Sequence, residues 1–204
     1  MATRWDIITI GNLSRNRYWG EGDGRAVRPA LCTCTLIQAD ATRLLVDPSV
    51  ADPDRMAAEL DRRTGLRPSD IHAVFLTHDH GDHHAGLANF PGADWFAAGD
   101  VAAMINSTGR YARRVETAAA MLLGLIDVIP TPGHTPGHHS LRFDWEDLSV
   151  VVAGDAVMTR DFWRERRGFF NSADAAQASR TIESLARIAG AVIPGHDNWF
   201  LAGR

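Results

Sequence analysis

The feature that most constrains this chain is where its histidines and aspartates lie relative to its apolar runs. Short β-rich runs, such as residues 71–76 and 149–153, are each followed at once by side chains that commonly bind metals. Five of the nine histidines and two aspartates occupy such positions: His78, His80, Asp82, His83, His134, Asp155 and His196. Because strand ends are rigid supports, we expect the loops that follow them to aim these side chains at one point.

The loop of residues 78–83 has the composition of a metal-binding segment. Neutral imidazole binds divalent ions such as zinc at about 2.0–2.1 Å. A tight loop cannot easily place four ligands on one ion, so we expect His78 and His80 to bind one metal and Asp82 and His83 to bind a neighbouring one. Gly81 permits the sharp turn between the two pairs.

Three later residues extend this arrangement. His134 would complete the first ligand set and His196 the second, while Asp155 has two carboxylate oxygens with which to bridge two cations. Two ions about 3.5–4 Å apart share a water and lower its pKa toward about 7, which yields hydroxide at neutral pH. The sequence therefore predicts a two-metal centre that activates water.

The hydrophobic pattern predicts a layered α/β fold. Strands precede helices twice along the chain, which indicates two sheets between helices. The length of 204 residues fits one domain, residues 1–204. Strands are predicted at residues 5–11, 31–38, 43–46, 71–76, 94–97, 126–129, 140–143, 149–153 and 191–193, and helices at residues 52–63 and 173–188.

Composition excludes several kinds of chemistry. The chain has no lysine, so its 21 basic residues are all arginine, and Schiff-base catalysis and a P-loop lysine are impossible. The net charge of −4 gives no electrostatic footprint for nucleic acid or an anionic membrane. Cys32 and Cys34 are expected to be reduced core residues. Without a signal-like or membrane-spanning apolar run, the sequence predicts a soluble, cytoplasmic protein.

Four blocks of this sequence resemble the metallo-β-lactamase superfamily. They are His-x-His-x-Asp-His at residues 78–83, Thr-Pro-Gly-His at 131–134, Gly-Asp at 154–155 and Pro-Gly-His at 194–196. Within the superfamily the chain looks most like small single-domain members of the metallo-β-lactamase domain-containing protein 1 type. The features behind that finer resemblance are residues 90–93 and 151–155 and the short C-terminus.

The resemblance implies a four-layer αβ/βα sandwich, the metallo-β-lactamase fold, with two metals at one edge between the sheets. It implies that His78, His80 and His134 hold the first metal. Asp82, His83 and His196 would hold the second, with Asp155 bridging the two. Asp82 would orient the hydroxide or take its proton. Two Zn²⁺ ions are the default cofactors, and iron or manganese is an alternative.

Other residues near these blocks are expected to have supporting roles. Asp47, at the end of an early strand, would help to hold the metal loop, and Asp197 would orient the ligand that precedes it. Asp79 is expected to face solvent or a supporting partner. His138 is expected to order its loop, and the alternative is that it lines the site. His72, His84 and His139 fit no block and are expected to be structural or surface residues.

Two aromatic and arginine-rich segments, residues 12–30 and 158–171, leave two interpretations open. They could form an apolar pocket with an arginine clamp for a carboxylate or phosphate. Alternatively they are surface loops anchored by core aromatics, or a contact in a homodimer.

The favoured function is hydrolysis of a small ester, lactone, thioester or amide. The partner would then be a small-molecule substrate, with no membrane and no nucleic acid. One alternative is a mononuclear iron enzyme of the persulfide dioxygenase type, which would use His78, His134 and Asp155. A phosphodiesterase or nuclease on the same scaffold is another.

Overall fold

A computed structural model describes residues 3–203 of the chain. The strands are β1 Thr3–Thr9, β2 Cys34–Ala39, β3 Thr42–Val46, β4 Ala73–Leu76, β5 Asp94–Ala97, β6 Glu116–Thr117, β7 Met121–Leu122, β8 Ile126–Pro130, β9 His139–Trp145, β10 Leu148–Gly154, β11 Ala191–Pro194 and β12 Phe200–Leu201. The α-helices are α1 Pro53–Thr64, α2 Gly99–Ser107, α3 Arg160–Arg164 and α4 Ala175–Leu185.

The strands form two mixed sheets. One has the order β1-β2-β3-β4-β5-β6 and the other the order β12-β11-β10-β9-β8-β7. Alternation along each strand decides which side chains face which layer. In β4, Ala73 and Phe75 lie in the core between the sheets, whereas Val74 and Leu76 pack beneath the first pair of helices.

Three apolar cores separate the layers. The first sheet packs against α1 and α2, the two sheets pack against each other, and the second sheet packs against α3 and α4. In β10, Val150 and Val152 face the central core, while Val151 and Ala153 face α3 and α4. The predicted four-layer sandwich is therefore confirmed.

The limits of several elements differ from the predicted ones for local reasons. Asp52 caps α1 by accepting a hydrogen bond from the Arg55 amide at 2.8 Å, so the helix begins one residue later than predicted. Likewise, the Asp174 side chain caps α4. The predicted strand at residues 31–38 begins only at Cys34, because Leu31 forms an isolated bridge with Asn12 instead.

Two of the composition-based expectations have structural outcomes. Cys32 and Cys34 are free and buried, as predicted. None of the helices described between residues 3 and 203 is long and apolar enough to span a membrane.

Candidate metal centre

The seven predicted residues come together at the carboxyl ends of four strands. β8, β10 and β11 run in the same direction, so the loops that follow them lie at one edge of the second sheet. The loop after β4 meets that edge from the first sheet. The ligand atoms form two groups in which all atoms lie within 4.8 Å of one another, namely His78, His80, His134 and Asp155, and Asp82, His83 and His196.

Asp155 lies between the two groups. Its Oδ2 is 3.2 Å from His134 Nε2 and 3.8 Å from His78 Nε2. Its Oδ1 is 3.1 Å from His83 Nε2 and 3.2 Å from His196 Nε2. Each oxygen of this buried carboxylate therefore faces a different group, which is the arrangement that a bridging ligand requires.

Hydrogen bonds on the side away from the metal centre orient the imidazoles of His78 and His83. Asp47, which is 1% exposed, accepts a hydrogen bond from His83 Nδ1 at 2.8 Å and another from the Thr77 hydroxyl at 2.7 Å. Since the Thr77 hydroxyl gives its proton to Asp47, its oxygen accepts from His78 Nδ1 at 3.1 Å. In both imidazoles Nδ1 donates to these outer partners, and Nε2 points into the centre. Burial lowers the pKa of His78, whereas in His83 burial is outweighed by the nearby carboxylates of Asp155 and Asp47, which raise the pKa well above its usual value.

His196 is oriented in the same way by backbone carbonyls. Its Nδ1 donates to the carbonyl oxygens of Asn12 at 3.1 Å and Leu31 at 2.9 Å, which leaves Nε2 facing Asp155. The effect of burial is outweighed by Asp155, which raises the pKa of His196. On the other side of the centre, His134 Nε2 lies 2.9 Å from His80 Nδ1.

The donor set fits a cation. The buried atoms His78 Nε2, His83 Nε2 and Asp155 Oδ1 have no hydrogen-bond partner within the described residues. Burial lowers the pKa of His134 to about 4, so its imidazole is neutral at pH 7. The inner nitrogens of these imidazoles and the Asp155 carboxylate converge at close range, and a positive ion between them would satisfy all of them.

Two glycines leave the space that the carboxylate of Asp155 and its neighbours occupy. Gly154 has a positive φ of 50°, and a Cβ there would lie 2.8 Å from the Thr77 hydroxyl oxygen. A Cβ on Gly195 would lie 2.0 Å from Asp155 Oδ1. These positions exclude any side chain, which explains the Gly-Asp and Pro-Gly-His blocks in steric terms.

The supporting residues agree only in part with their predictions. Asp47 contacts the metal loop as expected. The prediction for Asp197 is wrong, because its carboxylate accepts from the amides of Arg160 and Asn198, while His196 is oriented by carbonyls elsewhere. His84 is buried, and its Nδ1 lies 2.7 Å from the hydroxyl of Tyr111, a partner that the sequence did not indicate.

His138 stands at the end of a buried hydrogen-bond chain. Ser140 donates to the Ala153 carbonyl at 3.0 Å, Thr131 lies 2.8 Å from Ser140, and His138 Nδ1 lies 2.8 Å from Thr131. These hydrogen bonds hold the loop that carries His134 against β10, which agrees with the predicted structural role of His138.

Comparison with known proteins agrees with this geometry. The family model of the metallo-beta-lactamase superfamily matches residues 27–103 and 106–196. The chain belongs to the metallo-beta-lactamase superfamily. Members of this superfamily normally bind metal ions, usually zinc.

Three similar proteins illustrate the range of this superfamily. Hydroxyacylglutathione hydrolase of Anaeromyxobacter dehalogenans is 35% identical over 171 residues, which cover 79% of this chain and 60% of that enzyme. Metallo-beta-lactamase domain-containing protein 1 of Xenopus laevis is 29% identical over 79% of this chain and 69% of that protein. The structure of a quorum-quenching N-acyl homoserine lactone lactonase superposes with a TM-score of 0.71 at 21% identity, over 97% of this chain and 93% of that one. The chain thus spans little more than half the length of the hydroxyacylglutathione hydrolase that it matches.

Proposed function

We propose that this chain is a dinuclear, metal-dependent hydrolase of small molecules that contain an ester, lactone, thioester or amide bond. The observation that carries the proposal is the carboxylate of Asp155, whose two oxygens face two separate groups of imidazole nitrogens. The substrate classes are supported by the similar proteins, one named for a glutathione thioester and one for a lactone.

The proposed ligand sets follow the two groups of donor atoms. His78, His80 and His134 would hold one ion, Asp82, His83 and His196 would hold the other, and Asp155 would contact both. Imidazole and carboxylate donors suit zinc, and the same donors also accept iron or manganese. Divalent ions bound there supply Lewis acidity and make hydroxide available from water at neutral pH.

Asp82 is the proposed proton acceptor. Its side chain is 33% exposed, in contrast to the buried Asp155, and its Oδ2 lies 3.7 Å from His196 Nε2. A carboxylate in this position can take a proton from the attacking water at one oxygen while the other oxygen keeps its contact with the His196 side. It would then return the proton to the leaving group.

Metal analysis of the purified protein, followed by a substrate panel, tests the proposal. We expect about two zinc ions per chain and hydrolysis of a lactone or a thioester in a panel that also contains phosphodiesters and β-lactams. About one iron per chain and no hydrolysis would instead favour the mononuclear oxidoreductase. Cleavage of phosphodiesters alone would favour the nuclease alternative.

Matched variants separate the two metal positions. His83→Ala and His196→Ala should each lower the metal content toward one ion and abolish hydrolysis, because each removes a donor of the second set. His72→Ala is the control, since His72 is exposed and its Nδ1 accepts only from the Arg43 amide within the described residues. Full metal content in both ligand variants would contradict the second position.

A further inference from the structure

We propose that Arg15, held against the ring of Phe170 at the rim of the candidate metal centre, binds an anionic oxygen group of the substrate. This inference rests on the proposed hydrolase function and adds the charge class of the substrate to it. It depends on two chain segments, residues 12–31 and 156–173, that meet beside the centre.

The first segment is fixed at both ends to His196. The carbonyls of Asn12 and Leu31 both accept from His196 Nδ1, and their backbones pair with each other at 2.8 and 3.1 Å. Arg15 follows Asn12 by three residues, so its Cα lies within about 11 Å of that anchor even if the chain is fully extended.

The second segment begins beside Asp155 and ends at His134. The Ala173 amide donates to the His134 carbonyl at 2.9 Å, and the Ser172 hydroxyl oxygen lies 3.5 Å from His134 Nδ1. Phe170 precedes Ser172 by two residues, so its Cα lies within about 7 Å of that of Ser172. Arg15 and Phe170 therefore both lie within a few residues of groups that contact the proposed ligands His196 and His134.

Aromatic and polar contacts join the two segments. The rings of Tyr18 and Phe162 meet edge to face with centroids 4.9 Å apart. The Trp19 indole donates to Asp161 Oδ2 at 2.9 Å. Leu13 is buried in an apolar cluster with Phe162 and others, so the part of the first segment that contains Arg15 packs against the second segment.

The positive charge of Arg15 is not neutralised by any of the described residues. Its guanidinium lies 5.2 Å from the centroid of Phe170, and that of Arg17 lies 5.5 Å from the same centroid. Arg17 forms an ion pair with Asp23, whereas no carboxylate within residues 3–203 lies within 4.0 Å of Arg15. Moreover, Arg15 Nε is buried and has no hydrogen-bond partner in the same part of the chain.

A guanidinium in this state is suited to an anionic partner. Its planar fork of donors matches the paired oxygens of a carboxylate or phosphate, and a ring beneath it restricts its orientation. Because the N–H groups of Arg15 face no carboxylate, a substrate anion could accept hydrogen bonds from them without displacing an existing ion pair.

Two matched esters test the inference. One is the mono-para-nitrophenyl ester of suberic acid with a free terminal carboxylate, whose chain is too long for easy attack of the carboxylate on its own ester, and the other is the same ester with that carboxylate methylated. We expect the zinc-loaded protein to favour the charged ester about tenfold in kcat/KM, and Arg15→Gln to abolish the preference through KM. In Arg15→Gln, kcat/KM for the neutral ester should change less than about twofold. Arg15→Lys should keep part of the preference for the charged ester.

Arg25→Gln is the matched control. Arg25 lies in the same segment and is exposed, and the described residues give it no ion pair and no ring contact, so its removal changes the net charge equally. It should behave as the wild type does. No preference in the wild type, or an equal loss of both esters in Arg15→Gln at unchanged zinc content, would overturn the inference.

A binding measurement keeps the test independent of hydrolysis. Calorimetric titration of the zinc-loaded protein with glutarate and with inorganic phosphate should show about tenfold weaker binding of one of them to Arg15→Gln than to Arg25→Gln. The anion affected identifies carboxylate or phosphoryl as the group recognised. If neither ester is cleaved, the hydrolase proposal fails for esters, and equal anion affinities in the two variants would refute the role of Arg15.

Discussion

Replacing Asp47 with asparagine should weaken the second metal position without removing any proposed ligand. Asp47 accepts three hydrogen bonds, from the Thr77 amide at 2.9 Å, the Thr77 hydroxyl at 2.7 Å and His83 Nδ1 at 2.8 Å. An amide keeps only one acceptor oxygen. In its better orientation the oxygen serves the hydroxyl and the imidazole, and the NH₂ group then faces the Thr77 amide, so two donors meet.

The size of the effect follows from these contacts. One buried donor left without an acceptor costs about 1–3 kcal/mol, and two charge-assisted bonds that become neutral lose about 1 kcal/mol each. We therefore expect the free energy of unfolding to fall by about 3–5 kcal/mol in the metal-free protein. Weakening such a supporting partner also lowers metal affinity by about 10–100-fold, because the neutral amide oxygen orients His83 less firmly than the carboxylate does.

Competition with a coloured zinc chelator measures the affinity of each metal position, and urea unfolding measures the stability. Asp79→Asn is the control, since Asp79 lies in the same loop and its side chain makes no hydrogen bond or ion pair within residues 3–203. It removes the same charge and should change zinc affinity less than about threefold. An Asp47→Asn protein that binds two zinc ions as tightly as Asp79→Asn would refute the reasoning.

Three further predictions concern the packing and the metal. Gly195→Ala should abolish hydrolysis and zinc binding, because its Cβ would lie 2.0 Å from Asp155 Oδ1, whereas Gly92→Ala, with nothing within 4 Å, should not. Burial raises the pKa of the Cys32 thiol to about 12 and that of Cys34 well above its usual value. A thiol reagent at neutral pH should therefore label both only after unfolding, and urea titrations should show stability falling as the pH rises above about 8.5, where only the unfolded thiols ionise. Finally, a chelator should lower the melting temperature by about 10 °C in a thermal melt, since an ion at about 1,000 times its Kd adds about 4 kcal/mol, and zinc but not magnesium should restore it.

Local pattern was sufficient to predict the layers and the edge at which the proposed ligands gather. Runs such as residues 149–153 are almost continuously apolar because both faces of β10 are covered by apolar cores, and such a run is visible in the sequence. In contrast, the paired residues of β6, β7 and β12 carry no periodic signal, since two residues are too few to show one.

The environment of the ligands was less predictable because it is built from distant parts of the chain. Asp197 is adjacent to His196 in sequence and was therefore expected to orient it. The acceptors are instead the carbonyls of Leu31 and Asn12, which lie 165 and 184 residues away. Backbone carbonyls are present at every residue, so no residue type marks the ones that the fold will bring to an imidazole.

The arrangement of acceptors behind the ligands also has a thermodynamic consequence. Asp47, Thr77 and the Asn12 carbonyl hold the ring protons on the outer side of three imidazoles, so the inner nitrogens cannot donate to Asp155 without a change of tautomer or an added proton. In the metal-free protein, the Asp155 carboxylate helps to raise the pKa of both His83 and His196 despite their burial, so these imidazoles hold added protons that face Asp155. A cation replaces those protons, so metal binding should release protons and weaken as the pH falls. Since the outer hydrogen bonds rest on β3, β4 and the segment after β1, metal affinity and the stability of the first sheet should be coupled.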